Sequence, residues 1–414
     1  MSAVESEITI IGGGIGGLAL ALHLHARGIS CRVYEAAPVL KELGVGITVL
    51  PHAMRELTAL GLGETIEALG IENTESRFFN RFGQLIYAES RGRYAGYKVP
   101  EIGIHRGRLH MTLYRAVIER LGKDAVVTGR QCTGLDQDES GVTLHFRDTA
   151  SGEPAADVRA RIVIACDGVN SAVRRQFYPG DGVVFSGVNS WRGVTKWKPI
   201  LDGRTYMRIG SIRTNKMTLY PIIDNVDGQA RQLINWIAQV PSSAENKNDW
   251  NKPAKPEDFL HLFEDWVFDW LDVPAMCRAA DAIFEYPMVD KNPIPRWTFG
   301  RVTLAGDAAH PMYPRGSNGS AQALIDVHVL ADLIKERPDP LDALAAYERE
   351  RLPVTTKIVE TNRAQPLDLI NIKVEELTGD KPFENLDDFI SQDELRALSG
   401  AYQRIAGFSK QDVS

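Results

Sequence analysis

Ile8-Thr9-Ile10-Ile11-Gly12-Gly13-Gly14-Ile15-Gly16-Gly17-Leu18-Ala19-Leu20 is the stretch that decides the architecture. Ile8 to Ile11 form a short apolar run of the kind a buried strand requires, and residues 18–27 have the composition of a helix closed by Gly28. Between them, Gly12, Gly14 and Gly17 fall at the spacing G-x-G-x-x-G. The first glycine permits a tight turn, the second lets a pyrophosphate approach the backbone, and the third lets helix pack on strand. The helix then offers free N–H groups and a positive dipole end to the phosphates. Cys31-Arg32-Val33-Tyr34-Glu35 is a second β-like run, completing a β-α-β unit. Its terminal Glu35 suits ribose hydroxyls and argues against a 2′-phosphate, so FAD or NAD fits better than NADP. A glycine-rich structural turn is the alternative reading of the glycines alone.

Two further motifs follow buried strands. Residues 161–166 are a short apolar run leading into Asp167-Gly168-Val169-Asn170-Ser171-Ala172-Val173-Arg174, which reads D-G-x-x-S-x-x-R. Residues 302–305 lead into Gly306-Asp307-Ala308-Ala309-His310 and then through a glycine loop to a helix starting near Ser320. An Asp just past a strand end can accept hydrogen bonds from a polyol, and a helix N-terminus close behind favours negative charge. Each motif by itself also reads as an Asx-type turn.

The rest of the 414-residue chain fits an α/β protein with an inserted β-rich unit. Helices are expected from about 52–60 and 105–121, and strands of a second layer over 75–100. Val142, Leu144 and Phe146 alternate on one face of a half-buried strand. Residues 183–290 are strand-rich, with one helical stretch expected near 256–271, and helices dominate from 321 onward. The expected division is a discontinuous nucleotide-binding domain (1–75, 101–182, 286–365), a β-rich substrate domain (76–100, 183–285) and a C-terminal helical segment (366–414) that covers the core or mediates a homodimer.

Composition removes several classes of function. Lys plus Arg total 47 against 54 Asp plus Glu, a net charge of −7, which is not the basic footprint of a nucleic-acid binder. With 44% hydrophobic residues the chain is neither disordered nor fibrous. Cys31, Cys132, Cys166 and Cys277 are far apart, with no CxxC pair and no clustered His, so neither a disulfide framework nor a metal site is expected. The N-terminus carries acidic residues where a secretory signal has basic ones. Glycines and His23 interrupt its apolar run well short of a membrane span. A soluble, cytoplasmic protein without membrane contact is expected.

Together and in this order, the three motifs resemble the class A FAD-dependent aromatic monooxygenases, the para-hydroxybenzoate hydroxylase fold. The resemblance extends over essentially the whole chain, including Ile104-His105-Arg106-Gly107-Arg108-Leu109 and Tyr347-Glu348-Arg349. Trp191-Arg192-Gly193-Val194, Tyr286-Pro287-Met288-Val289-Asp290 and Met312-Tyr313-Pro314 look most like the methylphenazine-carboxylate hydroxylase branch. The resemblance implies tightly but non-covalently bound FAD. Gly12, Gly14, Ile15, Gly16 and Gly17 would then hold the pyrophosphate, Glu35 the adenosine ribose, Arg106 the pyrophosphate or ribityl region, and Asp307 the ribityl hydroxyls. Val45 and Gly46 would lie near the flavin ring, Asp167 and Arg174 would serve FAD and pyridine-nucleotide handling, and the loop from Pro314 to Gly319 would cradle the flavin. One departure stands out: the family loop P-x-x-G-x-G-x-N here has Ser317 at the first Gly and Ala321 at the Asn.

The implied reaction is single-component hydroxylation of an electron-rich, acidic aromatic or N-heteroaromatic small molecule with NAD(P)H and O2, through a flavin 4a-hydroperoxide. A single glycine dinucleotide motif suggests that NAD(P)H visits transiently. No catalytic side chain is assigned. Arg315, Tyr313 and Tyr220 are candidates for touching the substrate, while buried packing is the competing role for both tyrosines. Arg192 is read as a substrate clamp or, in preference, an ion-pair member, and His310 as a packed or turn-stabilising residue. Trp236, Trp250, Trp266, Trp270 and Trp297 are read as core. The alternatives are a halogenase or reductase on the same fold, or a flavin redox protein without turnover. The halogenase motif W-x-W-x-I-P is absent.

Overall fold

Strand Ser6–Ile11 pairs in parallel with Cys31–Tyr34 on one side and with Pro154–Ala165 on the other. Pro154–Ala165 in turn pairs in parallel with Val302–Leu304. These belong to a computed structural model that describes residues 6–243, 252–313, 318–364 and 368–405. Among the described residues they form the heart of an eight-stranded sheet, extended by the antiparallel strands Gly141–Asp148 and Arg130–Asp138. Ile10, Val33, Val163 and Ile164 are fully buried, as parallel strands covered on both faces must be. One cover is helix Ile15–Ala26, whose Leu18 to Leu22 are almost wholly inaccessible because helices Arg106–Leu121 and Asn318–Glu336 pack against it.

Register is what builds the site. Ile11 lies opposite Ala165, and Ala165 opposite Leu304, so three strands end level with one another. The glycine turn, the Asp167 motif and the Asp307 motif follow those ends directly. Ligands of open α/β sheets bind at this carboxyl edge.

A second eight-stranded sheet takes strands from distant parts of the chain. Its order is Lys252–Ala254, Ile283–Lys291, Val183–Trp197, Gln232–Pro241, Lys216–Ile223, Thr205–Gly210, Glu75–Phe79 and Leu85–Ser90. Among the described residues only the pairing of Thr205–Gly210 with Glu75–Phe79 is parallel in this sheet. Period-two alternation splits its side chains. Trp191, Met207, Met217, Leu219, Trp236 and Ala238 bury one face against Phe259, Phe263, Trp266 and Met276. The opposite face carries Tyr206, Tyr220 and Ile222 and turns to the first unit. The approach there is close: a Cβ on Gly46 would lie 2.6 Å from Asn235 Cβ, and one on Gly103 would run into the Pro221 carbonyl.

The helix expected near 256–271 is absent. The backbone there makes 3-10 turns at Pro256–Asp258 and Leu260–Leu262, then a short pair of strands, Val267–Phe268 and Leu271–Asp272, before helix Val273–Arg278. Phe259, Phe263 and Trp266 recur at helical spacing and are all buried, so that period reports an aromatic cover on the sheet rather than an α-helix. Trp236, Trp266 and Trp297 are core, Trp270 is partly buried with its Nε1 donating to Gly83 O at 3.2 Å, and Trp250 lies outside the described residues.

Helices Leu369–Thr378 and Gln392–Ile405 cover the far edge of the second sheet. Ile370, Val374, Leu386, Ile390 and Leu395 pack on Phe78, Ile86 and Tyr87, and Asn371 Nδ2 donates to Phe79 O at 2.7 Å. Among the described residues no helix is long and apolar enough to cross a membrane.

Candidate active site

The three glycines of the first motif answer to different constraints. Gly12 has φ +100°, and a Cβ there would strike the Cys166 carbonyl on the neighbouring strand end. A Cβ on Gly17 would strike the Gly12 carbonyl, so the helix can sit on its turn only without one. A Cβ on Gly14 would meet nothing within 4 Å, and Gly14 has an ordinary extended backbone. Its position is one where the protein needs no glycine and an approaching pyrophosphate does. Ile15 starts the helix, and Gly16 lies against Ala323, with 3.7 Å between the two Cβ positions. Glu35 closes the loop from the second strand: its Oε2 accepts from Gly13 N at 2.6 Å and its Oε1 from Ala37 N at 2.7 Å.

Asp167 Oδ2 accepts from Ala172 N at 2.8 Å at the start of the short helix Ala172–Phe177, whose N-cap is Ser171. Asp167 Oδ1 is buried without a partner among the described residues, and burial raises its pKa. Arg174 is fully buried and its donors are spent inside the protein. Nε and one terminal nitrogen bond Asp181, at 2.7 and 3.2 Å. The other terminal nitrogen bonds the carbonyls of Ala308 and Ala309, at 3.2 and 2.8 Å, and Asn292 O accepts at 3.0 Å. It ties the second motif to the third and keeps no N–H for a nucleotide.

Asp307 stands on the one-turn segment Gly306–Ala308, for which Gly306 supplies a φ of +58°. Its side chain is open to solvent yet set deep among protein atoms, which raises its pKa, while His310 and Arg106 oppose the rise. No hydrogen bond to its carboxylate comes from the described residues. Gly319, in the first turn of helix Asn318–Glu336, is beside it: a Cβ there would be 3.8 Å from Asp307 Oδ1. Behind this turn lies a buried network. Asp326 accepts from Gly306 N at 3.2 Å, from Arg351 Nε at 2.8 Å and from His310 Nε2, and Arg351 also donates to Gln322 Oε1 at 2.6 Å. His310 thus braces the turn. Asn318 Oδ1 accepts from His52 Nε2 at 2.8 Å, and burial pushes the His52 imidazole down to about 4. Pro314 and Arg315 lie outside the described residues.

Across the gap, Val45 O accepts from Arg106 N at 2.9 Å, and Gly46 N donates to Asn235 Oδ1 at 2.7 Å. Tyr220 and Tyr206 stack with centroids 5.0 Å apart, and burial raises the Tyr220 phenol. Tyr313 is buried, its hydroxyl 3.5 Å from Val184 O. The ion-pair role favoured for Arg192 does not hold: no carboxylate among the described residues lies within ion-pair distance. Its guanidinium instead lies 4.7 Å over the Tyr286 ring.

Several participants went unnoticed in the sequence. His110 Nε2 donates to Gly13 O at 2.6 Å, Asn235 holds Gly46, and Asp326 and Arg351 brace the Asp307 turn. Only Asp326 carried a signal: it is a charged residue in the stripe Ala323, Leu324, Val327, Leu330 that is otherwise apolar and buried. Away from this edge, His23, Glu56 and His328 cluster with ligand-type atoms within 4.8 Å. The two imidazoles are stacked 4.6 Å apart and nearly parallel, so their lone pairs do not converge. His328 pairs with Glu56 and Asp332, while burial holds the His23 pKa near 3.

The free space at Gly14 and the unbonded Asp307 carboxylate fit a dinucleotide laid across the carboxyl edge. A family model for an FAD binding domain matches residues 5–200 and 231–362. The chain is 41% identical over 367 residues to the phenazine 1,6-dicarboxylic acid hydroxylase PhzS of Lysobacter antibioticus, covering 87% of this chain and 90% of that protein. The chain belongs to the class A FAD-dependent aromatic monooxygenases. A 3-amino-4-hydroxybenzoate 2-monooxygenase of Streptomyces platensis is 34% identical over 370 residues, 88% of each chain. A crystal structure of Klebsiella pneumoniae HpxO with FAD and uric acid shares the fold, with TM-score 0.77, 24% identity and coverage of 98% and 96%. As a member of this family the protein is an FAD-dependent enzyme that hydroxylates an aromatic ring.

Proposed function

We propose that the chain is a single-component hydroxylase of a fused N-heteroaromatic carboxylic acid, using NAD(P)H as a transient reductant. The observation that carries this reading is the 41% identity to a phenazine 1,6-dicarboxylic acid hydroxylase along nearly the whole of both chains. Supporting it, the second sheet turns an aromatic and apolar face, with Tyr206, Tyr220 and Ile222, toward the nucleotide-binding edge. FAD, when bound, supplies electron transfer and oxygen activation.

The side chains supply place and environment. Gly14 and the N–H groups of helix Ile15–Ala26 would receive the pyrophosphate, Glu35 the adenosine ribose, Asp307 the ribityl hydroxyls, and Arg106 the phosphate–ribityl region. Asp167, next to the glycine turn, would hold the same strand end. The backbone of Val45 and Gly46 and the Pro314–Gly319 loop would flank the ring, with Tyr220, Tyr313 and Arg315 nearest the substrate. Two apposed sheets exclude water and hold the substrate ring in an attack geometry, and the reaction needs no strong protein base.

The test is aerobic oxidation of NADH and of NADPH by the FAD-loaded protein with phenazine carboxylates, hydroxybenzoates and hydroxynicotinates, following peroxide and product mass. A phenazine carboxylate that accelerates oxidation and gains one oxygen with little peroxide is the expected result. Acceleration and oxygenation confined to monocyclic phenols would overturn the fused-ring reading.

A further inference from the structure

Arg192 lies on strand Val183–Trp197, flanked on both sides within the second sheet: it is opposite Ile237 on one neighbour and Phe284 on the other. Trp191 and Gly193 on either side of it face the aromatic core, where Trp191 is 7% exposed and a Cβ on Gly193 would run into the Trp236 ring. Alternation therefore turns Arg192 to the face shared with Tyr206, Tyr220 and Asn235, toward Gly46 and the nucleotide-binding edge. There the guanidinium lies 4.7 Å over the Tyr286 ring, and its Nε is buried without a hydrogen-bond partner among the described residues.

Other arginines set into the fold are balanced. Arg174 has Asp181, Arg351 has Asp326, and Arg91 has Glu101. Arg208 donates to Ser76 Oγ at 2.5 Å and has Glu89 and Glu101 within electrostatic reach. Around Arg192 the charged and titratable neighbours are Tyr286, Tyr220 and a second cation, Arg106, and burial with that repulsion lowers its pKa. A half-buried cation with no counter-charge among the described residues is costly, and a ligand anion removes the cost. The guanidinium fork matches a carboxylate in two parallel hydrogen bonds.

We propose that Arg192 is the anchor for the substrate carboxylate, fixing which edge of the aromatic acid faces the flavin. This rests on the aromatic-acid reading above. The anchor orients the ring and takes no part in bond making.

The test is a cycle between ligand charge and side chain on the FAD-loaded oxidised protein. Phenazine-1,6-dicarboxylate and its diamide are titrated by calorimetry into wild type, Arg192→Gln and Arg192→Lys, with FAD content and melting temperature checking the fold. Wild type is expected to prefer the acid. Arg192→Gln should weaken the acid by on the order of 10- to 100-fold and the diamide by less than about threefold, with Arg192→Lys between. Equal losses for acid and diamide, or none, would overturn the anchor while leaving the aromatic-acid reading intact. A wild-type protein that shows no preference for the acid would overturn both.

Discussion

Gly14 and Gly17 lie in one turn and constrain different things. Gly17→Ala places a methyl against the Gly12 carbonyl, so the helix must lift from its strand. The expected cost is about 3 kcal/mol of folding stability, read by urea unfolding of the apoprotein. Gly14→Ala puts its methyl in open space on an extended backbone. Apoprotein stability should change by less than about 0.5 kcal/mol, while FAD binding in a fluorescence titration weakens about tenfold or more. Asp307 adds a pH test. Surrounding protein atoms raise its folded pKa, but the side chain is open to solvent, so the folded state is only mildly penalised for carrying the charge and stability falls slightly as pH rises through the ordinary carboxylate range. Asp307→Asn should therefore melt above wild type at pH 7 as apoprotein and lose that advantage below about pH 4, while FAD binding weakens. At this scale the placing of the glycines, Glu35 and Asp307 at strand ends was legible, because each follows an apolar run. Arg192 was read the other way, because nothing local in the sequence shows that a cation lacks its counter-ion.

Helix Asn318–Glu336 is held to the Asp307 turn by one buried carboxylate. Asp326 takes bonds from Gly306 N, His310 and Arg351; burial pushes its pKa up, but His310 and Arg351 hold it below the usual carboxylate range. Asp326→Asn removes the charge that balances Arg351 and should cost about 3–5 kcal/mol at pH 7 in denaturant unfolding. A folded pKa below the unfolded one gives stability above pH 4 that is lost as pH falls through the folded value, so the gap between variant and wild type should narrow in acid. Long periodic elements such as Arg106–Leu121 were legible in the sequence. The segment at 256–271 was not, since Phe259, Phe263 and Trp266 show helical spacing while the sheet beneath them, not an α-helical ladder, fixes their positions.

Across the whole molecule, the proposed function depends on a seam between two sheets. The level strand ends at Ile11, Ala165 and Leu304 were foreshadowed by three motifs that each follow an apolar run. The parallel pairing of Glu75–Phe79 with Thr205–Gly210 left no local trace, because register between segments so distant is set by packing alone. Gly46 and Gly103 are two places where the seam is tight. Gly46→Ala should displace Asn235 and loosen the enclosure, raising the share of NAD(P)H oxidation by the FAD-loaded protein that ends as hydrogen peroxide at least about twofold, measured with a peroxidase assay. The account's central claim is oxygen insertion into an aromatic acid at this seam. Its most direct test is mass spectrometry of the product formed by the FAD-loaded protein with NAD(P)H, a phenazine carboxylate and 18O2. The account predicts a product carrying one heavy oxygen from the gas, at one NAD(P)H per product. Oxygen drawn from water, or NAD(P)H consumed with no oxygenated product, would contradict it.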